Sequence, residues 1–470
     1  MKAIKYLLIG AMLTVSTSMS AQSAGYQSEV NAIWKVLQDN PGKPDAAKKM
    51  VKAFEGKYKK EPAALIQLGK AFLAENYMEK AQYYANLVIK KNKNYGDAYV
   101  LLGDIEQLKD QENEGGKAAY WYQNAMTMDP KNPKGYINYA NIFRESTSIF
   151  DETMSKLKQE VPSYPVEAAA GHSFFVINKY KRAYDYYSKS NPNNIDESQL
   201  YEYLQTAYYT NNKDKALEVA KTGIRRFAGK EIEDYFTRFA LFSAVDLDKM
   251  QEAAQFAKDI DGSKMEKIAD DYHYIGRALL AEQKYDEAIE KFNKALELKE
   301  DATSNYKYLA EAFKAIGDED MAIDYSEKYL NDADDVMPGD FVTLASTFMQ
   351  KADKGDYEQN MQRAMAVYGK MAEKFPTSNY YAFLQQGNIA EKLKDTALSQ
   401  SKWLAVIELL RDKSDLNSTE KMCLTASLKQ LGLKLWREKG INEAAQYLDR
   451  LAEIAPEDEV VTSYLKQKNK

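Results

Sequence analysis

The side chains best suited to metal binding or nucleophilic catalysis are scarce in this chain, which has two histidines, His172 and His273, and one cysteine, Cys423. No His-x-x-x-His or Cys-x-x-Cys spacing is present, so no pattern places two such ligands on one metal ion. The pair Gly115-Gly116 lacks the Lys-Ser/Thr that completes a phosphate-binding loop, and no Gly-x-Ser-x-Gly elbow occurs. The sequence therefore predicts a protein that is not an enzyme and that binds no metal and no cofactor.

Charge and cysteine content narrow the class of protein further. The chain of 470 residues has a net charge of -6, which gives no general attraction to nucleic acid or anionic lipid. A single cysteine excludes an internal disulfide, so stability must come from packing. Cys423 lies in the apolar stretch MCLTASL, which predicts a buried, unreactive thiol.

An internal repeat at 272–329 shows how the chain is built, because the same small and large apolar residues recur after 34 positions. The matched residues are Tyr272 and Tyr306, Gly276 and Ala310, Leu279 and Phe313, and Ala288 and Ala322. A small residue in one helix allows a second helix to approach closely, and the large residues fill the space between them. One such helix pair cannot bury its own apolar face, so the pairs must stack.

The same pattern recurs along most of the chain. Units with a small residue facing a later alanine or aromatic begin near Pro62, Gly96 and Tyr164, and a further clear unit spans 425–458. The pattern closely resembles the tetratricopeptide repeat, a family of stacked antiparallel helix pairs, although the family's signature Trp is mostly replaced by Tyr or Leu. The resemblance implies an all-α fold, an α-solenoid in which tetratricopeptide pairs form a superhelix.

The repeats divide the chain into four segments. Residues 1–21 form a signal peptide, and 22–61 form N-terminal helices with a degenerate first repeat. The tandem array covers 62–458, with degenerate repeats at 197–268 and 338–379. Residues 459–470 form a polar C-terminal cap over the last apolar face.

The N-terminus has the three parts of an export signal. Lys2 and Lys5 provide the charged start, an apolar run extends from Tyr6 to Val15, and small residues follow. Cleavage after Ala21 or after Ser20 fits this pattern. We therefore expect an exported protein, held in the periplasm or, alternatively, released to the extracellular space.

The resemblance also implies where a partner binds, because in tetratricopeptide proteins the first helices of successive pairs line a concave groove. The residues that the repeat phase places there are rich in aromatic and basic side chains, which commonly anchor protein interfaces. They are His172, Phe175, Tyr201, Tyr208, Tyr235, Arg238, His273, Arg277, Lys307 and Lys314. Where the repeat is degenerate, at 197–268, the aromatic residues face either the groove or the core.

These features favour a non-catalytic scaffold of the bacterial envelope that binds a protein or peptide through its groove, in an assembly, secretion or transport complex. No nucleic-acid partner and no membrane insertion of the mature chain are expected. A glycan- or cell-wall-binding protein is the alternative, because Tyr and Trp rings also stack on sugars. An enzyme without a recognisable motif is a third, weaker alternative.

Overall fold

The computed structural model describes residues 21–110 and 115–468, and for 21–24 it describes the backbone alone. The predicted signal peptide therefore lies almost entirely outside the described residues. All regular elements in the described ranges are helices, with no strand among them. The chain divides into two compact units, the first ending at Leu247 and the second beginning at Asp248.

The helices of the first unit are α1 (Ala21–Gln38), α2 (Lys48–Tyr58), α3 (Pro62–Ala74), α4 (Met78–Lys91), α5 (Gly96–Lys109), α6 (Gly116–Met128), α7 (Pro133–Ile142), α8 (Thr147–Glu160), α9 (Val166–Phe175), α10 (Tyr180–Tyr187), α11 (Glu197–Tyr209), α12 (Lys213–Arg226) and α13 (Ile232–Asp246). From α3 onward, consecutive helices pack as antiparallel pairs. The first helix of each pair also packs on the first helix of the next, so α3, α5, α7, α9, α11 and α13 form one continuous layer.

The helices of the second unit are α14 (Met250–Gly262), α15 (Ala269–Ala281), α16 (Tyr285–Leu298), α17 (Asn305–Ala315), α18 (Glu319–Asp332), α19 (Pro338–Ala352), α20 (Tyr357–Lys374), α21 (Asn379–Lys392), α22 (Thr396–Leu410), α23 (Ser418–Lys439), α24 (Ile441–Ile454) and α25 (Glu459–Lys468). A short 3-10 turn, Pro376–Ser378, precedes α21. Helix α25 buries Val461 and Tyr464 in the same apolar cluster as α24.

In several pairs, close contact between the two helices depends on a glycine in the first helix. A Cβ atom added to Gly171 would lie 2.7 Å from the Tyr187 ring, and one added to Gly276 would lie 2.6 Å from the Phe292 ring. Both distances are shorter than two carbon atoms allow, so only glycine permits this approach. The small and aromatic residues that define the repeats in the sequence are thus the residues that form the contacts between paired helices.

The predicted fold is confirmed: each unit consists of stacked antiparallel helix pairs in a tetratricopeptide-like arrangement. Cys423 is fully buried. Among the described residues, no helix combines the length and the apolar character needed to cross a bilayer.

Candidate functional site

The layer of first helices in the first unit carries polar residues at equivalent places, each directly after the small residue that contacts the second helix. Asp104 follows Gly103, Asn141 follows Ala140, and His172 follows Gly171. Adjacent residues on a helix point about 100° apart. Because Gly103, Ala140 and Gly171 face the second helix, the polar residues are turned away from that contact, towards the outer surface of the layer and the neighbouring first helices. We call the surface formed by α5, α7, α9 and α11 the first-helix face.

His172 is the best-defined group on the first-helix face. Its Nδ1 atom lies 2.9 and 3.0 Å from the two carboxylate oxygens of Glu202 in the next first helix. The Tyr187 hydroxyl donates to the same carboxylate from the buried side, at 2.6 Å. The hydrogen bond to Glu202 raises the pKa of His172, although burial opposes this. The imidazole is therefore fixed through Nδ1, while 46% of its side-chain surface stays exposed.

A related network lies two pairs earlier. The Tyr122 hydroxyl donates to Asp104 at 2.9 Å, and the Asn138 amide of the next first helix donates to the same oxygen at 3.1 Å. Burial raises the pKa of Asp104 and lowers that of Lys70, which lies on the preceding first helix. Both charged side chains are almost fully covered, with exposed fractions of 5% and 6%. The first-helix face is consequently closed near α3 and α5 and opens towards α7, α9 and α11.

The aromatic residues predicted for the groove of the first unit form a connected group on α11 and α13. The Tyr201 ring lies 6.0 Å from those of Tyr235 and Phe239, and burial raises the pKa of Tyr201 to about 12. The Tyr208 ring lies 5.1 Å from Phe239, and its hydroxyl donates to Asp246 at 3.2 Å. These tyrosines are half-buried and packed between helices, so their rings contribute to the core as well as to the surface.

The other predicted residues of the first unit are placed differently. Phe175 is half-buried at the end of α9 and packs on Tyr180 of its own pair, with 5.7 Å between ring centroids. Arg238 is only 9% exposed, and its guanidinium lies 5.6 Å from the Tyr235 ring. His172 makes no ring contact with the Tyr201 group. The predicted residues of this unit are therefore spread over an extended surface. Among the described residues they do not gather into one compact site.

In the second unit the predicted residues form two small clusters. The Nδ1 atom of His273 lies 2.9 Å from the Asn305 amide oxygen, and the ring packs edge-on against Tyr308. Arg277 lies 5.2 Å from the same Tyr308 ring. Lys307 pairs with Asp340 at 3.0 Å, and Lys314, further along α17, is exposed.

Sequence reasoning missed Glu202, Tyr187 and Arg144. Glu202 follows Tyr201 in the chain but lies in a degenerate repeat, where the phase did not reveal which residues face α9. For Tyr187 the repeat pattern predicts only a packing role, because a buried tyrosine and a buried phenylalanine serve equally well there. The signal that could have found it is its place opposite Gly171, from which a hydroxyl extends towards the first-helix face.

No metal-binding group of three or more His, Cys, Asp or Glu side chains occurs in the described ranges. Burial raises the pKa of the Cys423 thiol to about 11, so the thiol is protonated at neutral pH.

No family model matches the chain, and no curated protein matches it. Similar solved structures include the C-terminal part of a TPR repeat-containing protein from Cytophaga hutchinsonii, with 17% identity, a TM-score of 0.45, and coverage of 56% of this chain and 99% of that one. A PilF structure from Pseudomonas aeruginosa has 20% identity, a TM-score of 0.30, and coverage of 44% and 95%. MamA AMB-1 has 16% identity, a TM-score of 0.30, and coverage of 36% and 96%. At these values the similarities say nothing about what this chain binds.

Proposed function

We propose that this chain is a non-catalytic scaffold of the bacterial envelope that binds a protein partner through the first-helix face of its first unit. The observation that carries the proposal is the open part of that face. It presents two parallel rows of partly exposed side chains at equivalent places on α7, α9 and α11, with Arg144 in the turn that follows α7. The first row is Asn141, His172 and Gln205, and the second is Arg144, Phe175 and Tyr208.

The two rows suit an extended partner segment. Neighbouring helix axes lie about 8–10 Å apart, and an extended chain advances about 3.3 Å per residue. Successive first helices therefore meet about every third residue of such a segment. The first row offers hydrogen-bonding groups, while Phe175 and Tyr208 in the second row offer aromatic surface of the kind that anchors protein interfaces.

The absence of catalysis is also part of the proposal. His172 has the geometry of an oriented base, since Glu202 holds its Nδ1 atom. A base needs a nucleophile or a bound substrate to act upon, and the hydroxyls of Tyr187 and Tyr208 already donate to carboxylates. Hydrolysis of an envelope polymer by the pure protein would contradict a purely structural role.

Location in the periplasm rests on the N-terminal sequence alone, where Lys2 and Lys5 precede an apolar run. The test is mass spectrometry of the mature protein from fractionated cells. We expect a new N-terminus after Ala21 or Ser20 and recovery with the periplasmic fraction. An uncleaved chain in the cytoplasmic fraction would overturn this part of the proposal, and recovery from the medium would favour the extracellular alternative.

The main experiment is affinity capture from the envelope fraction with matched variants. The double variant Phe175→Ala with Gln205→Ala changes the first-helix face. The control, Tyr83→Ala with Tyr120→Ala, removes exposed rings from the second helices α4 and α6. We expect one specific protein partner, captured by the wild type and the control and lost with the double variant. Equal capture by all three proteins would contradict binding at this face.

The rings of Tyr83 and Tyr120 support the alternative of glycan binding, because they are 55% and 60% exposed on consecutive second helices. Exposed aromatic faces stack on sugar rings, as they do on other planar or apolar groups. Under this alternative the wild type is retained on purified cell-wall material and the Tyr83→Ala with Tyr120→Ala variant is not. Retention on wall material without any protein partner would favour it over the scaffold.

A further inference from the structure

An open pocket of about 340 Å³ lies in the first unit where α5 ends and α7 and the turn after α9 approach each other. Gln107, Asn141 and Arg144 provide polar groups, and Ile142 and Ile177 provide an apolar part of the wall. This volume is near the lower end of the range for ligand pockets. It therefore fits one side chain with its neighbouring backbone, or a small molecule of that size.

Two cations line this pocket, and Arg144, unlike Lys179, lacks a carboxylate partner. Its Nη1 atom donates to the backbone oxygen of Ser173 at 3.2 Å, and within the described part of the chain no carboxylate forms an ion pair with it. The side chain is half-buried, and this burial lowers the pKa of its guanidinium. A guanidinium has five N–H donors in a planar fork that matches a carboxylate.

The nearby carboxylates are already engaged. Glu145 pairs with Lys179 at 2.6 Å, and Asp110 accepts the backbone N–H of Gly115 at 2.6 Å. Neither one forms an ion pair with Arg144, so the pocket keeps a guanidinium without a carboxylate partner next to an apolar wall. This charge is complementary to an anionic ligand.

A second group without its usual partner lies three residues before Arg144, in the last turn of α7. The Asn141 Oδ1 atom is buried and accepts no hydrogen bond. A buried acceptor without a donor is costly, so an N–H supplied by a ligand would restore the lost interaction. The other amide of the pocket, Gln107, has its Oε1 atom 3.0 Å from the Tyr122 hydroxyl, whose single proton it shares with Asp104.

We propose that this pocket binds a carboxylate carried next to an N–H donor, as an aspartate or glutamate residue of the bound partner segment presents them. Arg144 binds the carboxylate, and Asn141 Oδ1 accepts the N–H. Ile142 and Ile177 contact the short apolar link between the two groups. The inference rests on the proposed function, because the pocket is continuous with the two rows of the first-helix face and contains one residue from each row.

The test uses N-acetyl-aspartate N′-methylamide as the probe, with the corresponding asparagine compound as its neutral match and acetate as a carboxylate without N–H. Binding is followed through the Arg144 Nε–H signal in NMR titrations of the full chain. We expect saturable binding of the aspartate probe, at least about tenfold tighter than that of either comparison compound. Equal binding of the asparagine compound would overturn the carboxylate assignment, and equal binding of acetate would overturn the role of Asn141.

Two variants complete the design. Arg144→Gln should weaken binding of the aspartate probe at least about tenfold. The control Arg225→Gln removes the same charge at an exposed site, beside Asn193, and should leave binding unchanged. Unchanged affinity in a folded Arg144→Gln variant would overturn the proposal. If Arg144→Gln fails to fold, the NMR signal of Arg144 in the wild type is the remaining test. A signal that does not shift when the aspartate probe is added would contradict the proposed carboxylate site.

Failure here is distinguishable from failure of the proposed function. Suppose that the wild type captures a partner, that the Phe175→Ala with Gln205→Ala variant loses it, and that Arg144→Gln binds it as well as the wild type does. This result would support the scaffold function and contradict the carboxylate pocket.

Discussion

The helix pair containing Gly171 and Tyr187 in the first unit and the pair containing Gly276 and Phe292 in the second solve the same packing problem with different chemistry. In each, a glycine of the first helix lies against an aromatic ring that is fully buried. The rings differ by one hydroxyl group. That single oxygen determines what can lie on the adjacent first-helix surface.

In the first unit the hydroxyl extends the buried ring to a polar residue. Tyr187 donates to Glu202, which holds His172, and Tyr122 likewise donates to Asp104. Carboxylates as deeply buried as those of Glu202 and Asp104 are tolerated because each has one hydrogen-bond partner on a second helix and another on a neighbouring first helix.

In the second unit Phe292 has no hydroxyl and therefore donates no hydrogen bond. Arg277 stands where His172 stands in the first unit, directly after the glycine, and Tyr308 takes the equivalent place of Glu202. The contacts there are aromatic: Phe292 stacks on Tyr308 at 5.5 Å, and Arg277 lies over the Tyr308 ring. The comparison teaches that the repeat requires an aromatic ring opposite the glycine. The presence or absence of a hydroxyl on that ring determines whether the adjacent first-helix surface is polar or aromatic.

The largest expected effect comes from the feature that both pairs share. Gly171→Leu and Gly276→Leu should each lower the free energy of unfolding by about 1–3 kcal/mol, because the new side chain overpacks the aromatic ring. The measurement is urea-induced unfolding. The control is Gly56→Ala, where an added Cβ meets nothing within 4 Å, and which should stabilise the helix by about 0.5–1 kcal/mol. A neutral Gly276→Leu would show that the repeat phase of that unit is wrong.

Removing the hydroxyl should separate the two pairs. Tyr187→Phe should lower the free energy of unfolding by about 1.5 kcal/mol, because Glu202 loses a hydrogen bond to a charged group. Tyr203 is the matched control, since it is equally buried and stacks on Tyr187 at 5.6 Å. Tyr203→Phe should change the free energy by less than about 0.5 kcal/mol. Equal effects of the two substitutions would refute the importance of the hydroxyl.

Adding the hydroxyl to the second unit is the reciprocal change. Phe292→Tyr should lower the free energy of unfolding by about 1 kcal/mol. In the second unit Arg277 stands at the position that Asp104 has in the first, and a guanidinium offers no acceptor for the proton of the new hydroxyl. Unfolding of this variant should be compared with that of wild type under the same urea gradient. A stabilised Phe292→Tyr protein would mean that the polar and the aromatic surface are interchangeable.

The smallest effect concerns pH. The raised pKa of His172 means that its pair with Glu202 contributes fully below the unfolded value, about 6.5, and is lost as pH rises through the folded value. Stability of the first unit should therefore fall slightly between mildly acidic and mildly alkaline pH. The fall is small because His172 is nearly half exposed. His172→Gln should remove this dependence, and an NMR titration midpoint at or below 6.5 in the wild type would contradict it.

The fold was predictable because its cause is local and periodic. Small and large apolar residues that recur after 34 positions placed Gly276, Leu279 and Ala288 in the helix contacts without knowledge of any other helix. The site was less predictable because its contacts join different pairs. His172 was assigned to the groove from its phase, but Glu202 lies 30 residues later in a degenerate repeat. Arg238 had a groove position by phase, yet its side chain is nearly covered.

The unpartnered groups of the pocket were beyond sequence reasoning for a different reason. Asn141 lies in the last turn of α7, and Arg144 lies in the turn that follows this helix. Whether another residue satisfies them depends on Glu145, Lys179 and Ser173, whose side chains and backbone meet only in three dimensions. A repeat pattern specifies which residues face a surface and leaves open which of them are already bound to one another.

The central claim is that the first-helix face of the first unit binds a protein partner, and the dissociation constant of the captured partner tests it most directly. Phe175→Ala with Gln205→Ala should raise that constant at least about tenfold, as expected when interface anchors are removed. Tyr83→Ala with Tyr120→Ala should leave it unchanged. Equal constants for the wild type and the first variant, with both proteins folded, would contradict the claim.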